Sequence, residues 1–147
     1  MESGGDWDRR NRLKSYNGLH LLSARDFAGA APLLLESLST FTSYEVCAYN
    51  SLVVYAILSG TMALDRTDFK KKVVDSAEVL AVLGSKSADT GDDIDMIDIA
   101  NTEGYESLEM LINSFYTCDY KNFFIALAEV EEKFLSRDRI LAEHKPW

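Results

Sequence analysis

Apolar residues recur along this chain at three- and four-residue steps, the spacing of helices with one buried stripe. Leu13, Tyr16, His20 and Ala24 follow that rule and predict an amphipathic helix over roughly 8–25. Asn17-Gly18 lies inside the run and is a strong hairpin signal, but its flanks do not alternate apolar with polar. The helix therefore stands, and Gly18 becomes a place where a neighbouring helix can approach closely. Asp26 is placed to cap a second helix by accepting from its free amides. Ala28, Ala31, Leu34, Leu35 and Leu38 line that helix. Pro32 falls in its second turn and denies a backbone donor, which predicts a kink or a start nearer to Pro32.

Thr42-Ser43-Tyr44-Glu45 fits a capping box, in which Thr42 accepts from the Glu45 amide and the carboxylate reaches back. A third helix is expected from about 43 to 64. Tyr44, Ala48, Ser51, Tyr55 and Met62 run along one side, with Val46, Val53, Ile57 and Leu64 on others. A helix that is apolar nearly all round has neighbours nearly all round, so this one is central. Thr67 or Asp68 can cap a short helix through Val74, and Ser76 another through Leu83, with Gly84 ending it in a left-handed conformation. Beyond a loop reaching about Asn101, helices are expected over 102–117, lined by Tyr105, Leu108, Leu111, Ile112 and Phe115, and over 119–136, lined by Phe123, Leu127, Val130 and Phe134. No segment alternates with period two for long enough to be a strand.

The joints repeat. Ala24-Arg25-Asp26-Phe27 and Thr117-Cys118-Asp119-Tyr120 each place Asp then an aromatic where one helix turns into the next. The pattern is that of an all-α fold of stacked antiparallel helix pairs, a tetratricopeptide-like right-handed helical repeat forming one domain over 1–147. A single pair cannot bury its own face, so a short stack of pairs looks for neighbours.

Length and composition agree with a folded domain: 147 residues, 47% apolar and 27% charged. Charge changes the picture more. The net charge is -9, and 87–109 alone holds eight acids (Asp89, Asp92, Asp93, Asp95, Asp98, Glu103, Glu106, Glu109) and no base. The rest of the chain is nearly neutral, so the acidity belongs to a flexible loop over 85–101, which repels phosphate and argues against nucleic acid there. Calcium-loop registers starting at Asp89 or Asp93 both fail, because Gly91 or Ile97 stands where an oxygen ligand is needed. The basic counterpart is Arg9, Arg10, Arg12 and Lys14, a possible partner interface. Asp6 and Asp8 stand four residues before Arg10 and Arg12, the favourable order for paired charges on a helix.

Candidate chemistry is thin. His20 reads as a packing histidine and His144 lies in a polar tail; Cys47 and Cys118, 71 residues apart, read as buried thiols in a reducing compartment. Phe27, Phe41, Tyr44, Tyr49 and Tyr55 read as core. No nucleotide-binding, nucleophile-elbow or metalloprotease motif is present, so no catalytic residue, cofactor, metal or small-molecule substrate is expected. The uncharged stretch 46–64 approaches membrane-spanning length, yet its Asn50, Ser51, Ser59, Gly60 and Thr61, without flanking Lys or Arg clusters, suit a buried helix better.

Four blocks carry a family resemblance: Gly4-Gly5-Asp6-Trp7-Asp8-Arg9-Arg10-Asn11-Arg12-Leu13-Lys14; Arg25-Asp26-Phe27 with Ala30-Ala31; Ser39-Thr40-Phe41-Thr42-Ser43-Tyr44-Glu45; and Leu64-Asp65-Arg66-Thr67-Asp68 leading to Lys72-Val73-Val74. In order and spacing they resemble the PCI-domain family of lid subunits of the 26S proteasome regulatory particle, of the seventh non-ATPase type. The resemblance is dense over 4–83 and faint from Tyr105 onward. It implies a non-catalytic structural subunit, or a fragment of one, found in cytoplasm and nucleus. Its partners would be other lid and regulatory-particle subunits, and its role to support assembly and degradation of ubiquitinated proteins. Family members continue through a winged helix, expected to be absent here, and 85–101 looks like an insertion. The alternatives are a PCI subunit of the related signalosome, favoured less by the Asp-Trp-Asp-Arg-Arg-Asn-Arg block, and a free-standing helical-repeat adaptor for protein or RNA.

Overall fold

The computed structural model describes residues 3–84 and 96–142. It comprises α1 (Ser3–Ser23), α2 (Phe27–Ser37), α3 (Tyr49–Ala63), α4 (Arg66–Phe69), α5 (Ala77–Gly84), α6 (Met96–Thr117), α7 (Tyr120–Val130) and α8 (Arg139–Ala142). The described residues contain no strand, as the all-α expectation requires. They fall into two compact units, 1–79 and 80–147.

In the first unit α1 packs on α2 and α2 on α3. The first pair is antiparallel: Lys14 reaches Glu36, Gly18 faces Leu34 and Leu21 faces Gly29, so partners recede along α2 as α1 advances. The expected stripe of α1 is on the wrong side. Leu13 is 56% exposed and Tyr16 40% exposed, and His20 and Ala24 are also exposed. The buried face is Asn11, Ser15, Gly18, Leu19 and Leu22 instead. Close approach explains this choice. A Cβ on Gly18 would lie 2.7 Å from Leu34 Cδ2, so the helices meet where the side chain is absent. The buried hydroxyls tolerate that contact by bonding back to their own helix: Ser15 Oγ donates to the Asn11 carbonyl and Ser37 Oγ to that of Leu33. On α2 the buried residues are Ala30, Ala31, Leu34 and Ser37; Ala28 is exposed and Leu35 half-buried. The helix starts at Phe27 and runs through Pro32 rather than starting near it.

The central-helix expectation holds for α3, in which every residue from Leu52 to Gly60 is buried. Its start does not hold. The chain from Ser39 to Ala48 is irregular, α3 begins at Tyr49, and Ala48 at the N-cap makes no side-chain capping bond. The capping box is not formed, because Thr42 and Glu45 are engaged elsewhere. Likewise α4 begins at Arg66, ahead of Thr67 and Asp68, with Asp65 at its N-cap. A π-helical turn, Lys70–Val74, continues it, closed by the Asp75 amide on the Lys70 carbonyl at 2.8 Å. Ser76 does cap α5, its Oγ lying 3.5 Å from the Val79 amide. That helix ends at Gly84, but no described glycine has positive φ.

In the second unit α6 packs on α7, again antiparallel: Tyr105 meets Phe134, Ser107 donates to Glu129, and Phe115 meets Phe123. α6 starts at Met96, so the helix takes in 96–101, read from sequence as loop; 85–95, with four of the eight acids, lie outside the described residues. Tyr105, Leu108, Leu111 and Ile112 are buried on α6, and Ala126 and Val130 on α7. A second π turn, Glu131–Leu135, follows α7.

The two joints recur as the same structure. Arg25 (φ 64°) and Cys118 (φ 60°) occupy the left-handed region. The next amide reaches back to complete the motif: Asp26 to the Leu21 carbonyl and Asp119 to that of Ser114, both at 2.9 Å. Each Asp then caps the following helix, accepting from the amide of Gly29 at 3.0 Å or Asn122 at 3.4 Å. Residue by residue this is a Schellman turn fused to an N-cap, which turns the chain into an antiparallel pair within three residues.

Candidate interface on the first helix pair

The basic residues of α1 are distributed over three settings. Arg10 pairs with Asp6 at 2.8 Å and Arg12 with Asp8 at 3.1 Å, as their spacing predicts. Lys14 reaches across to Glu36 of α2 at 3.3 Å. Arg9 is exposed and makes no ion pair among the described residues. The four residues therefore do not form one basic patch. Three are partly neutralised within the unit, in exposed pairs worth at most about 1 kcal/mol each.

A second group, which the sequence does not announce, gathers around Arg12. The irregular segment 39–48 is strapped to α1 by polar contacts about thirty residues apart in sequence. Thr42 Oγ1 donates to Asp8 Oδ1 at 3.3 Å, Tyr16 Oη donates to Glu45 Oε1 at 2.6 Å, and Arg12 stands 3.7 Å from the same carboxylate. The Tyr16 hydrogen bond, with a smaller contribution from Arg12, holds the Glu45 carboxyl below its ordinary range. The reciprocal effect of Glu45 raises the Tyr16 phenol. Phe41 anchors the strap: it is buried, with Tyr44 edge-on at 5.1 Å and Tyr49 at 5.9 Å. Burial raises the Tyr49 phenol, and the Glu78 charge adds to it. Asn11 Nδ2, Thr40 Oγ1 and Ser43 Oγ are buried without a hydrogen-bond partner among the described residues, so the strap and the helix beneath it are incompletely satisfied.

Turning the stripe outward gives α1 a solvent face of Arg9, Leu13, Tyr16 and His20, four residues at helical spacing. Trp7, 58% exposed, lies near its start. The face offers cation, apolar surface and ring, which is binding chemistry rather than bond-making chemistry. His20 is thus an exposed residue, not a packing histidine. Cys118 is exposed at its joint and Cys47 half-buried, so neither is the buried thiol expected. Among the proposed core aromatics, Phe41 and Tyr55 are buried, Phe27 and Tyr49 half-buried, and Tyr44 is 67% exposed. His144 lies outside the described residues. Among the described residues no cluster of His, Cys, Asp or Glu is placed to hold a metal ion. No described helix is long and apolar enough to cross a membrane.

Comparison with known proteins bears on the same residues. A family model described as 26S proteasome subunit RPN7 matches residues 1–72, which include α1, the strap and α3. The chain is 48% identical over 144 residues to the 26S proteasome regulatory subunit rpn7 of Schizosaccharomyces pombe, covering 98% of this chain and 32% of that protein. It is 43% identical over 144 residues to the 26S proteasome non-ATPase regulatory subunit 6 of Caenorhabditis elegans, with the same coverage. Against the RPN7 subunit of Saccharomyces cerevisiae it is 40% identical over 144 residues, 98% of this chain and 30% of that protein. The chain spans about a third of the length of these curated relatives. By the family's own pattern over residues 1–72 and by pairwise identity over nearly all of its length, the chain is similar to the RPN7 subunits of the 26S proteasome regulatory particle.

Proposed function

We propose that this chain acts as a non-catalytic structural part of the lid of the 26S proteasome regulatory particle, supporting assembly and the degradation of ubiquitinated proteins. The observation that carries this reading is identity of 40–48% over 98% of the chain to proteins named as proteasome regulatory subunits. A fold of helix pairs with apolar side chains left on the surface suits a scaffold, whose work is to be covered by neighbours. On this reading the helices are the helical part of a PCI domain, the partners are other regulatory-particle subunits rather than nucleic acid or membrane, and the protein resides in cytoplasm and nucleus.

Within that reading the partner interface is the outward face of α1. Arg9 is the cation of the original basic group with no ion pair among the described residues; Leu13 and Tyr16 supply the apolar surface. Arg10, Arg12 and Lys14 frame it with charges already partnered on the same unit. The test is affinity purification of the endogenous protein carrying a tag, with quantitative mass spectrometry of what accompanies it. Stoichiometric recovery with lid subunits is expected. Recovery alone, or with a set of proteins that excludes the regulatory particle, would leave the relationship as ancestry and contradict the proposed role.

A further inference from the structure

The segment before α3 carries two incompatible sets of instructions. Locally it is written as a helix start. Thr42 and Glu45 have the spacing of a capping box, and Phe41 and Val46 stand at the positions of a hydrophobic staple, the residue before the cap and the fourth of the helix. In the structure the same residues do something else. Thr42 bonds to Asp8, Glu45 to Tyr16 and Arg12, and α3 starts later at Tyr49 behind an N-cap alanine with no side-chain bond. Its first turn closes only with the Leu52 amide on the Ala48 carbonyl.

We propose that residues 42–48 are a two-state switch: a strap latched to Asp8, Arg12 and Tyr16 of α1, and, when released, an N-terminal extension of α3 capped by Thr42 and Glu45. Both states have identifiable support, which is what a bistable element requires. The latched state has three charged or polar links to α1 and the Phe41 anchor. Against it stand the buried hydroxyls of Ser43 and of Thr40 just before it, and the Asn11 amide nitrogen beneath, all without hydrogen-bond partners among the described residues. Unsatisfied buried groups make a conformation expensive to hold. The helical state recovers backbone bonds for the first turns of α3 and the reciprocal cap. It also closes Val46, 43% exposed in the strap, against Phe41.

Release has a consequence for binding. Arg12 and the Tyr16 hydroxyl lose Glu45 and join Arg9 and Leu13 on the outward face of α1. Glu45 therefore acts as an internal competitor for an acidic partner side chain that would occupy the same two donors. This consequence rests on the interface reading; the switch itself belongs to the isolated chain.

Hydrogen exchange of the 147-residue chain in solution separates the two. In an Asp8→Ala/Tyr16→Phe chain, the amides of residues 47–50 should exchange more slowly, by about ten-fold or more, because they gain helical partners. Ala48→Pro is the lock. Ala48 sits at φ -69° and ψ 151°, which proline adopts without strain, while proline inside an extended helix removes a bond and clashes. Adding Ala48→Pro to the unlatched chain should abolish the slowing at 49 and 50, and Ala48→Pro alone should not lower the melting temperature. Tyr16→Phe by itself, the mildest change, should show a smaller slowing and keeps the test available if the double variant folds poorly. Exchange at 47–50 that is unchanged or faster in both unlatched chains would overturn the switch, as would slowing that persists with Ala48→Pro. Either result leaves the proteasome reading untouched, since no partner is present.

Discussion

Replacing Gly18 with alanine sets two effects of known size against each other. Glycine inside a helix is less favourable than alanine by about 1 kcal/mol, so at an open position the change would stabilise the chain by that amount. Gly18 is not open. The added Cβ would stand 2.7 Å from Leu34 Cδ2, 2.9 Å from Leu34 Cγ and 3.4 Å from the Leu34 backbone nitrogen. A χ2 rotation of Leu34 could move the methyl but not the branch point, and a χ1 rotation that moved both would have to find new space for a fully buried side chain. Overpacking of this kind costs about 1–3 kcal/mol. The expected net effect is a loss of about 1 kcal/mol, measured by urea denaturation followed by far-ultraviolet circular dichroism. Leu34→Ala alone should cost about 2–5 kcal/mol. In the Leu34→Ala background the clash is gone, and Gly18→Ala should turn neutral or stabilising. That reversal is a coupling of about 1–2 kcal/mol between the two sites. Equal stabilisation by Gly18→Ala in both backgrounds would refute close approach as the reason for the buried glycine.

Other perturbations test separate parts of the structure. Ile57→Ala should cost about 2–5 kcal/mol by chemical denaturation, since Ile57 is fully buried in α3; a cost below about 0.5 kcal/mol is surface behaviour and would remove α3 from the core. Cys118→Gly should raise stability by about 0.5–1 kcal/mol in the same assay, because glycine relieves the positive φ at the α6–α7 joint while Cys118→Ala does not. The latch gives a two-sided pH dependence, read as thermal stability across a pH series in the natural chain and in Glu45→Gln. Glu45 has a lowered carboxyl, so its contribution is present above the ordinary carboxylate range and is lost as pH falls through the lowered value. Tyr16 has a raised phenol, so its contribution is present below the ordinary phenol range and is lost as pH rises through the raised value. Matching pH profiles for the natural chain and Glu45→Gln would show that the Tyr16–Glu45 bond does not titrate with the fold.

What was legible in the sequence was what is local. The joints at Arg25-Asp26 and Cys118-Asp119 were readable because each capping carboxylate and the amide that donates to it lie within three residues, and both joints formed. The continuous burial of α3 was readable because a long uncharged apolar run that carries Asn50, Ser51, Ser59 and Thr61 suits a helix packed on all sides. The face of α1 was misread because hydrophobicity is a poor sign of burial where backbones come close: Asn11, Ser15 and Gly18 are buried, whereas Leu13 and Tyr16 are not. Tertiary contact overrode local preference at Thr42 and Glu45, whose partners on α1 lie 34 and 29 residues away. The π turns at Lys70–Val74 and Glu131–Leu135 were not legible, because each lasts a single turn, too short for a period to show in the sequence. For the candidate interface, the paired charges of α1 were predictable from their spacing. The strap that brings Glu45 onto Arg12 and Tyr16 was not.

On the proposed function a partner docks on the outward face of α1, and hydroxyl-radical footprinting reads that face directly. Oxidation of Leu13 and Tyr16 would be compared between the free chain and the same protein within affinity-purified regulatory particle, with exposed Tyr120 followed in parallel. A scaffold docking through α1 predicts strong protection of Leu13 and Tyr16 on assembly. Equal labelling of Leu13 and Tyr16 in the free and assembled states would contradict it and place the contact elsewhere on the chain.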